Sequence, residues 1–143
     1  MKNIKVKGGT FGREYLSVPG HGKFVDLWTI NDCQGRQMWG LEKTSDGVSY
    51  NIIVVGGVDG NRKYLSTNGD GTIVDLWTED DGSGRQRWII SGEHIKIKGG
   101  VSGNRKYLSV NPEGTKVDLW TKDDGSGRQK WSITKSLGRA VNL

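Results

Sequence analysis

Two stretches of this chain are near copies of one another. Residues 56–88 read GGVDGNRKYLSTNGDGTIVDLWTEDDGSGRQRW and residues 99–131 read GGVSGNRKYLSVNPEGTKVDLWTKDDGSGRQKW; without gaps, 26 of 33 positions agree. Residues 8–39, GGTFGREYLSVPGHGKFVDLWTINDCQGRQMW, form a divergent third copy, one residue shorter between its glycines and Tyr15. The landmarks recur as Tyr15/Tyr64/Tyr107, Asp26/Asp75/Asp118, Trp28/Trp77/Trp120 and Trp39/Trp88/Trp131, at successive offsets of 49 and 43 residues. A period of this length marks a repeat architecture, in which one unit alone cannot bury its apolar face. The 143 residues leave room for one domain, 1–143, built of units at roughly 4–46, 47–92 and 93–139.

Each unit reads as short strands cut by turns. In the second copy strands are expected at 51–55, 63–67, 72–78 and 86–90, and GG, DGN, NGDG and DDGSG supply the residues that tight turns favour. No stretch keeps an i, i+3, i+4 apolar pattern over helical length. Four strands in three copies give an all-β chain of twelve strands. Closing three units around a pseudo-threefold axis hides the strand edges. An open solenoid would leave both ends bare, and no capping unit is visible.

Composition agrees with a folded domain. The apolar fraction is 33%, but 6 Trp concentrate large buried areas in few residues, and 23 Gly suit a chain rich in turns. The lone Cys33 excludes an internal disulfide framework and a cysteine metal site. The opening MKNIKVKGG has no apolar run, and no later stretch approaches the ~20 apolar residues of a spanning helix. The expectation is a cytoplasmic chain without membrane insertion, with leaderless export left open. The net charge of +5 suits nucleic acid, anionic glycans or lipid headgroups. Yet the Lys and Arg run through every unit and alternate with acids, as in GSGRQRW beside TEDD. A solvated surface of mixed charge is the simpler reading, and no nucleic-acid partner is expected.

Strand parity separates two kinds of residue. In Ile73-Val74-Asp75-Leu76-Trp77-Thr78, Val74 and Leu76 share one face while Asp75 and Trp77 share the other. Val25/Leu27 against Asp26/Trp28 and Val117/Leu119 against Asp118/Trp120 repeat the pattern. Burying Val and Leu turns each Asp-x-Trp outward, as an ionised Asp requires. An indole beside a carboxylate is what a sugar needs: the apolar face of a pyranose lies on the ring while its hydroxyls find polar groups. The competing reading has Trp28, Trp77 and Trp120 packed under the DDGSG loop as satellite core.

Each unit also ends in a Gln-x-Trp: Arg36-Gln37-Met38-Trp39, Arg85-Gln86-Arg87-Trp88 and Arg128-Gln129-Lys130-Trp131. Three in-phase copies over nearly the whole chain resemble the ricin-B-type β-trefoil lectins, and Leu-Ser and Asp-Leu-Trp resemble small single-domain trefoil lectins of fungi and bacteria. The resemblance implies a β-trefoil and a non-catalytic, multivalent sugar-binding protein for glycans of the galactose or N-acetylgalactosamine type. Carried over by position, it implies sites at Ser17, Asp26, Trp28, Arg36 and Gln37; at Ser66, Asp75, Trp77, Arg85 and Gln86; and at Ser109, Asp118, Trp120, Arg128 and Gln129. This chain departs from the family pattern in three ways. The second-strand place is Ser where an acid is usual, Arg replaces Asn before the Gln, and the loop is one residue shorter. The Gln either touches sugar or fixes the loop, and Trp39, Trp88 and Trp131 read as core.

Other chemistries fit less well. The loop 79–84 lacks the Gly at position six and Glu at position twelve of an EF-hand, so turn bonds from its Asp side chains explain it, and no metal or cofactor is expected. His21 and His94 do not recur between units, and each unit offers one carboxylate at its aromatic rather than a facing pair, so no enzyme is expected. Two rivals remain: a protein-interaction trefoil, and an anionic-glycan binder using Arg62, Arg105, Lys63, Lys106, Lys96 and Lys98. A homodimer is compatible with the sequence. The first unit, with Pro19, His21 and Asn31-Asp32-Cys33-Gln34-Gly35, is expected to hold the most divergent site.

Overall fold

The computed structural model describes residues 1–136, so the end of the third unit at 137–139 lies outside the described residues. Twelve strands run in chain order: β1 (Lys2–Val6), β2 (Tyr15–Ser17), β3 (Asp26–Trp28), β4 (Trp39–Lys43), β5 (Tyr50–Val54), β6 (Tyr64–Thr67), β7 (Val74–Trp77), β8 (Trp88–Ser91), β9 (His94–Ile97), β10 (Tyr107–Val110), β11 (Val117–Trp120) and β12 (Trp131–Lys135). No helix occurs among the described residues.

Six strands close a barrel. β1 pairs with β12, β4 with β5 and β8 with β9, all antiparallel. Lys2↔Trp39 joins β1 to β4, and Tyr50↔Trp88 joins β5 to β8. The Trp131 amide donates to the Glu93 carbonyl at 2.8 Å, which closes the ring between β12 and β9. The remaining strands form three hairpins, β2–β3, β6–β7 and β10–β11, each joined to the barrel by one register pair: Lys5↔Tyr15, Ile53↔Tyr64 and Lys96↔Tyr107. The hairpins also bond to each other, Leu27 N–H to the Gly114 carbonyl and Leu119 N–H to that of Gly71.

The second unit's strands differ from the sequence expectation at their ends. The third strand starts at Val74 rather than residue 72, because Thr72 gives its amide and hydroxyl to the Asp70 carboxylate and the Ile73 amide bonds to Asn68. The fourth starts at Trp88 rather than 86, because a turn bond from Arg87 N–H to the Gly84 carbonyl holds Gln86 out of the ladder. Likewise β5 ends before Val55, whose amide bonds to the Met38 carbonyl.

One core fills the barrel and the underside of the hairpins. Ile4, Ile52 and Ile95 come from β1, β5 and β9; Leu16, Leu65 and Leu108 come from the first hairpin strands; Leu27, Leu76 and Leu119 come from the second. Trp39, Trp88 and Trp131 are buried in the same cluster, with Ile90 and Ile133 partly buried beside them. Each of these indoles still needs a partner for its N–H. They donate to the Leu16, Leu65 and Leu108 carbonyls at 3.0, 2.9 and 2.9 Å. The glycine before each Arg-Gln-x-Trp has a steric cause. Gly35, Gly84 and Gly127 take φ of 103°, 97° and 96°, and a Cβ on any of them would stand within 3.0 Å of Gly56, Gly99 or Gly8 in the next unit.

Truncating Trp88 removes a fully buried ring and the N–H bond to Leu65. Trp88→Ala is expected to lower folding stability by about 3–5 kcal/mol, read as a shift in the urea midpoint; a shift below about 1 kcal/mol would overturn this placement in the core.

Candidate functional site

Parity places the hairpin residues as expected. Val25/Leu27, Val74/Leu76 and Val117/Leu119 are buried, while Trp28, Trp77 and Trp120 are 41%, 39% and 39% exposed. Each ring is thus partly covered and partly open to solvent. Across each hairpin the register sets Ser17 opposite Asp26, Ser66 opposite Asp75 and Ser109 opposite Asp118.

The fifteen residues drawn from the sequence gather in three separate cavities, five in each. Ser17, Asp26, Trp28, Arg36 and Gln37 line one of about 300 Å³, completed by Val18, Pro19 and Gly20. Ser66, Asp75, Trp77, Arg85 and Gln86 line one of about 220 Å³, with Thr67, Asn68 and Gly69. Ser109, Asp118, Trp120, Arg128 and Gln129 line one of about 200 Å³, with Val110, Asn111, Pro112 and Asp124. The residues after each Ser were missed, although they are simply the turn that follows the second strand. Asp124 also corrects the count of one carboxylate per unit, because loop closure brings it into the third cavity's wall.

The glutamines are framework. Nε2 of Gln37, Gln86 and Gln129 donates to the Ser17, Ser66 and Ser109 hydroxyls at 2.9 Å each. Their Oε1 atoms accept from the Asp32, Asp81 and Asp124 amides at 2.9, 3.0 and 3.0 Å. All three side chains are buried, so the amide fixes the loop over the cavity. The loop acids are likewise spent locally. Asp80 and Asp123 accept from Gly82 and Gly125 N–H, and Asp81 and Asp124 from Ser83 and Ser126 N–H. In the first unit Asn31 and Asp32 do the same for Cys33 and Gln34, and Cys33 adopts a φ of 65° where the other units have Gly82 and Gly125. Among the described residues no cluster of three His, Cys, Asp or Glu is arranged for a metal.

Each cavity arginine is braced by its loop. Arg36 lies 3.2 Å from Asp32, Arg85 lies 3.6 Å from Asp81 and Arg128 lies 3.5 Å from Asp124. The cavity aspartates are strained electrostatically. Burial pushes the Asp26 and Asp75 carboxyls up to about 6, against the pull of Arg13 and Arg36 on one and Arg62 and Arg85 on the other. Burial moves Asp118 upward too, opposed by Arg105 and Lys116.

The cations of the anionic-glycan reading are largely engaged. Arg62 and Arg105 lie over the Trp77 and Trp120 rings, 5.1 and 5.2 Å from the centroids. Arg13, which the sequence reading missed because the first unit is a residue shorter there, lies 5.1 Å over Trp28. Lys98 is paired with Asp46, and Lys96 sits over Tyr107. Lys63 and Lys106 are exposed. His21 and His94 line none of the three cavities; His94 is 2.8 Å from Asp123.

No protein-family model matches the sequence, and no curated protein matches it either. Solved structures do. The designed threefold-symmetric protein ThreeFoil is 21% identical with a TM-score of 0.69, over 94% of this chain and 99% of its own. The β-trefoil lectin of the Vibrio vulnificus hemolysin/cytolysin, solved with N-acetyl-D-lactosamine, is 19% identical with a TM-score of 0.64, over 92% and 91%. The fold is a β-trefoil. The Polyporus squamosus lectin, bound to Neu5Acα2-6Galβ1-4GlcNAc, is 16% identical with a TM-score of 0.65, over 92% of this chain and 47% of its own. This trefoil spans less than half of that lectin, and 45% and 17% of two other matched chains.

Two measurements check the site as built. Gln86→Ala leaves the Asp81 amide and the Ser66 hydroxyl without their buried partner and is expected to cost about 1–3 kcal/mol of folding stability; an unchanged urea midpoint would refute the clasp. Asp26 and Asp75 have folded pKa values above the ~3.9 of an unfolded Asp. Their contribution to stability is therefore full below that value and is lost as pH rises through about 6. Other loop carboxylates are shifted downward and act oppositely, so the check is residue-specific: carboxyl carbon NMR should give midpoints near 6 for both. Midpoints near 4 would contradict the burial.

Proposed function

We propose that this trefoil is a non-catalytic, multivalent lectin that takes one glycan of the galactose or N-acetylgalactosamine type in each of its three cavities. The observation that carries the reading is the threefold recurrence of one constellation: a half-exposed indole, a half-buried Asp, a braced Arg and a rigid serine–glutamine floor. A pyranose stacks its C–H face on the indole and gives hydroxyl protons to the carboxylate, while the guanidinium donates to ring or hydroxyl oxygens. The Vibrio vulnificus lectin with N-acetyl-D-lactosamine and the Polyporus squamosus lectin with its Galβ1-4GlcNAc-containing epitope support a galactoside on the same fold.

Catalysis is the weaker reading on the same geometry. The third cavity is lined by Asp118 and Asp124, but Asp124 is already held by the Ser126 amide and paired with Arg128. Arg85 and Arg36 likewise hold Asp81 and Asp32, neither of which lines the other two cavities.

Lactose titrated at neutral pH should perturb Trp fluorescence and the amide signals of the Trp28, Trp77 and Trp120 units. Silence toward every common mono- and disaccharide at roughly tens of millimolar, beyond even the ~1 mM Kd of weak binding, would end the lectin reading. Trp77→Ala should abolish binding at the second cavity while leaving the urea midpoint close to wild type, because this ring lies on the outer face. Unfolding as severe as that of Trp88→Ala would make Trp77 structural instead.

The first cavity, walled by Val18, Pro19 and Gly20 where the second has Thr67, Asn68 and Gly69, should be the weakest of the three. Per-site NMR titration with the tightest binding at Trp28 would contradict this ranking.

A further inference from the structure

We propose that Arg13, Arg62 and Arg105 are the positioning residues of the three cavities: each guanidinium fixes the plane of its unit's outer indole and supplies the positive charge that faces the cavity aspartate, without lining the cavity. The proposal rests on the carbohydrate-binding reading for its affinity consequences, but its geometry and its first measurement do not.

Every unit builds the same clamp. The guanidinium carbon sits 5.1, 5.1 and 5.2 Å from the centroids of Trp28, Trp77 and Trp120. Nη1 donates to the Leu27, Leu76 and Leu119 carbonyls at 3.2, 3.1 and 2.9 Å. Those leucines stand between the Asp and the Trp of each third strand, so one planar cation is tied to the strand that carries both cavity groups. Along the outer face Arg13, Tyr15 and Ser17 share parity, and Tyr15 and Ser17 pair with Trp28 and Asp26. None of the three arginines lines a cavity. Stacking and hydrogen bonding together need a flat donor fork, which Lys lacks.

The stem is wedged by the neighbouring unit. Gly71 and Gly114, at φ of 77° and 74°, leave no space for a Cβ: it would stand 3.0 Å from the Arg105 Cβ and 2.9 Å from the Arg13 Cβ. The same turns accept the Leu119 and Leu27 amides. The Arg105 and Arg13 clamps are thus set partly by the unit preceding each around the ring, whereas a Cβ on the equivalent Gly22 would stand 3.6 Å from the Arg62 Cβ, an ordinary contact.

The charge reaches the carboxylate. Arg105 Nη1 is 4.0 Å from an Asp118 oxygen, and in each unit this arginine is the largest counterweight to the burial of the aspartate. The charged groups facing Asp75 are Arg62, from the loop before β6, and Arg85, from the loop before β8; for Asp26 they are Arg13 and Arg36. Asp118 faces Arg105 and Lys116, with Asp124 and Arg128 in the same cavity.

The test uses the whole chain with Arg62→Met, which keeps an apolar stem, and Arg62→Lys, which keeps the charge. Without ligand, Arg62→Met should raise the Asp75 carboxyl midpoint by about one unit, leave the Asp26 midpoint in place and increase the motion of the Trp77 indole N–H on the NMR timescale. Arg62→Lys should hold the Asp75 midpoint but loosen Trp77 equally. With lactose, both should weaken binding at the second cavity about fivefold or more and leave the other two cavities at wild-type affinity. An Asp75 midpoint and Trp77 motion that do not respond to Arg62→Met would overturn the clamp, whether or not any sugar binds. If Arg62→Met does not fold, Arg62→Lys decides alone, and an unmoved Trp77 overturns it. Should lactose fail to bind the wild-type chain while both ligand-free effects appear, the clamp stands and the lectin reading falls.

Discussion

Each hairpin is pinned to the barrel by two buried hydrogen bonds from a single Gln-x-Trp. In the first unit Gln37 reaches the Ser17 hydroxyl and Trp39 reaches the Leu16 carbonyl, so a turn residue and the first residue of β4 hold adjacent residues of β2. The same pair recurs as Gln86 with Trp88 and Gln129 with Trp131. Because the groups are buried, losing either bond strands a polar atom away from water, which costs more than the bond itself contributes. Among the described residues no buried side-chain polar atom is left without a partner. The pin therefore fixes at once where the hairpin sits, where the loop after it closes, and what forms the floor of the cavity between them.

What stands on that floor is less comfortable. Asp26, Asp75 and Asp118 lose enough water for burial to raise their pKa values, and the arginines beside them offset only part of that loss. A domain built for stability alone would have put a neutral residue at these places. The same units that hold the strained carboxylates leave the flanking indoles 39–41% exposed. Two such departures from what folding favours, at equivalent positions of every unit, mark the candidate site more sharply than the cavities' shapes do.

Much of this was legible in the chain. Val74 and Leu76 against Asp75 and Trp77 told the inner face from the outer, since a period of two leaves no choice once one face is buried. The Arg, Gln and Ser positions were implied by the resemblance that the Gln-x-Trp repeat carries, and all of them converge on the cavities. The role of Gln86 was not legible, because a buried amide and a sugar-binding amide look alike until their partners are seen. Arg13 escaped because the one-residue shortening of the first unit hides its equivalence to Arg62 and Arg105. Strand ends were misplaced where side chains such as Asp70 and Asn68 took amides that strand propensity had assigned to the ladder.

The sequence by itself determined the three units, their all-β character and the inward or outward sense of each strand residue, because these follow from period and local chemistry. The tertiary structure alone decided contacts between residues far apart in the chain. It set the arginines of one unit against turn glycines of the preceding one, brought Asp124 into the wall that Asp118 shares, and took enough water from the cavity aspartates to shift their ionisation. Those outcomes depend on distance and on the surrounding dielectric. Neither exists along an extended chain; both appear only when β12 bonds back to β1 and the ring closes.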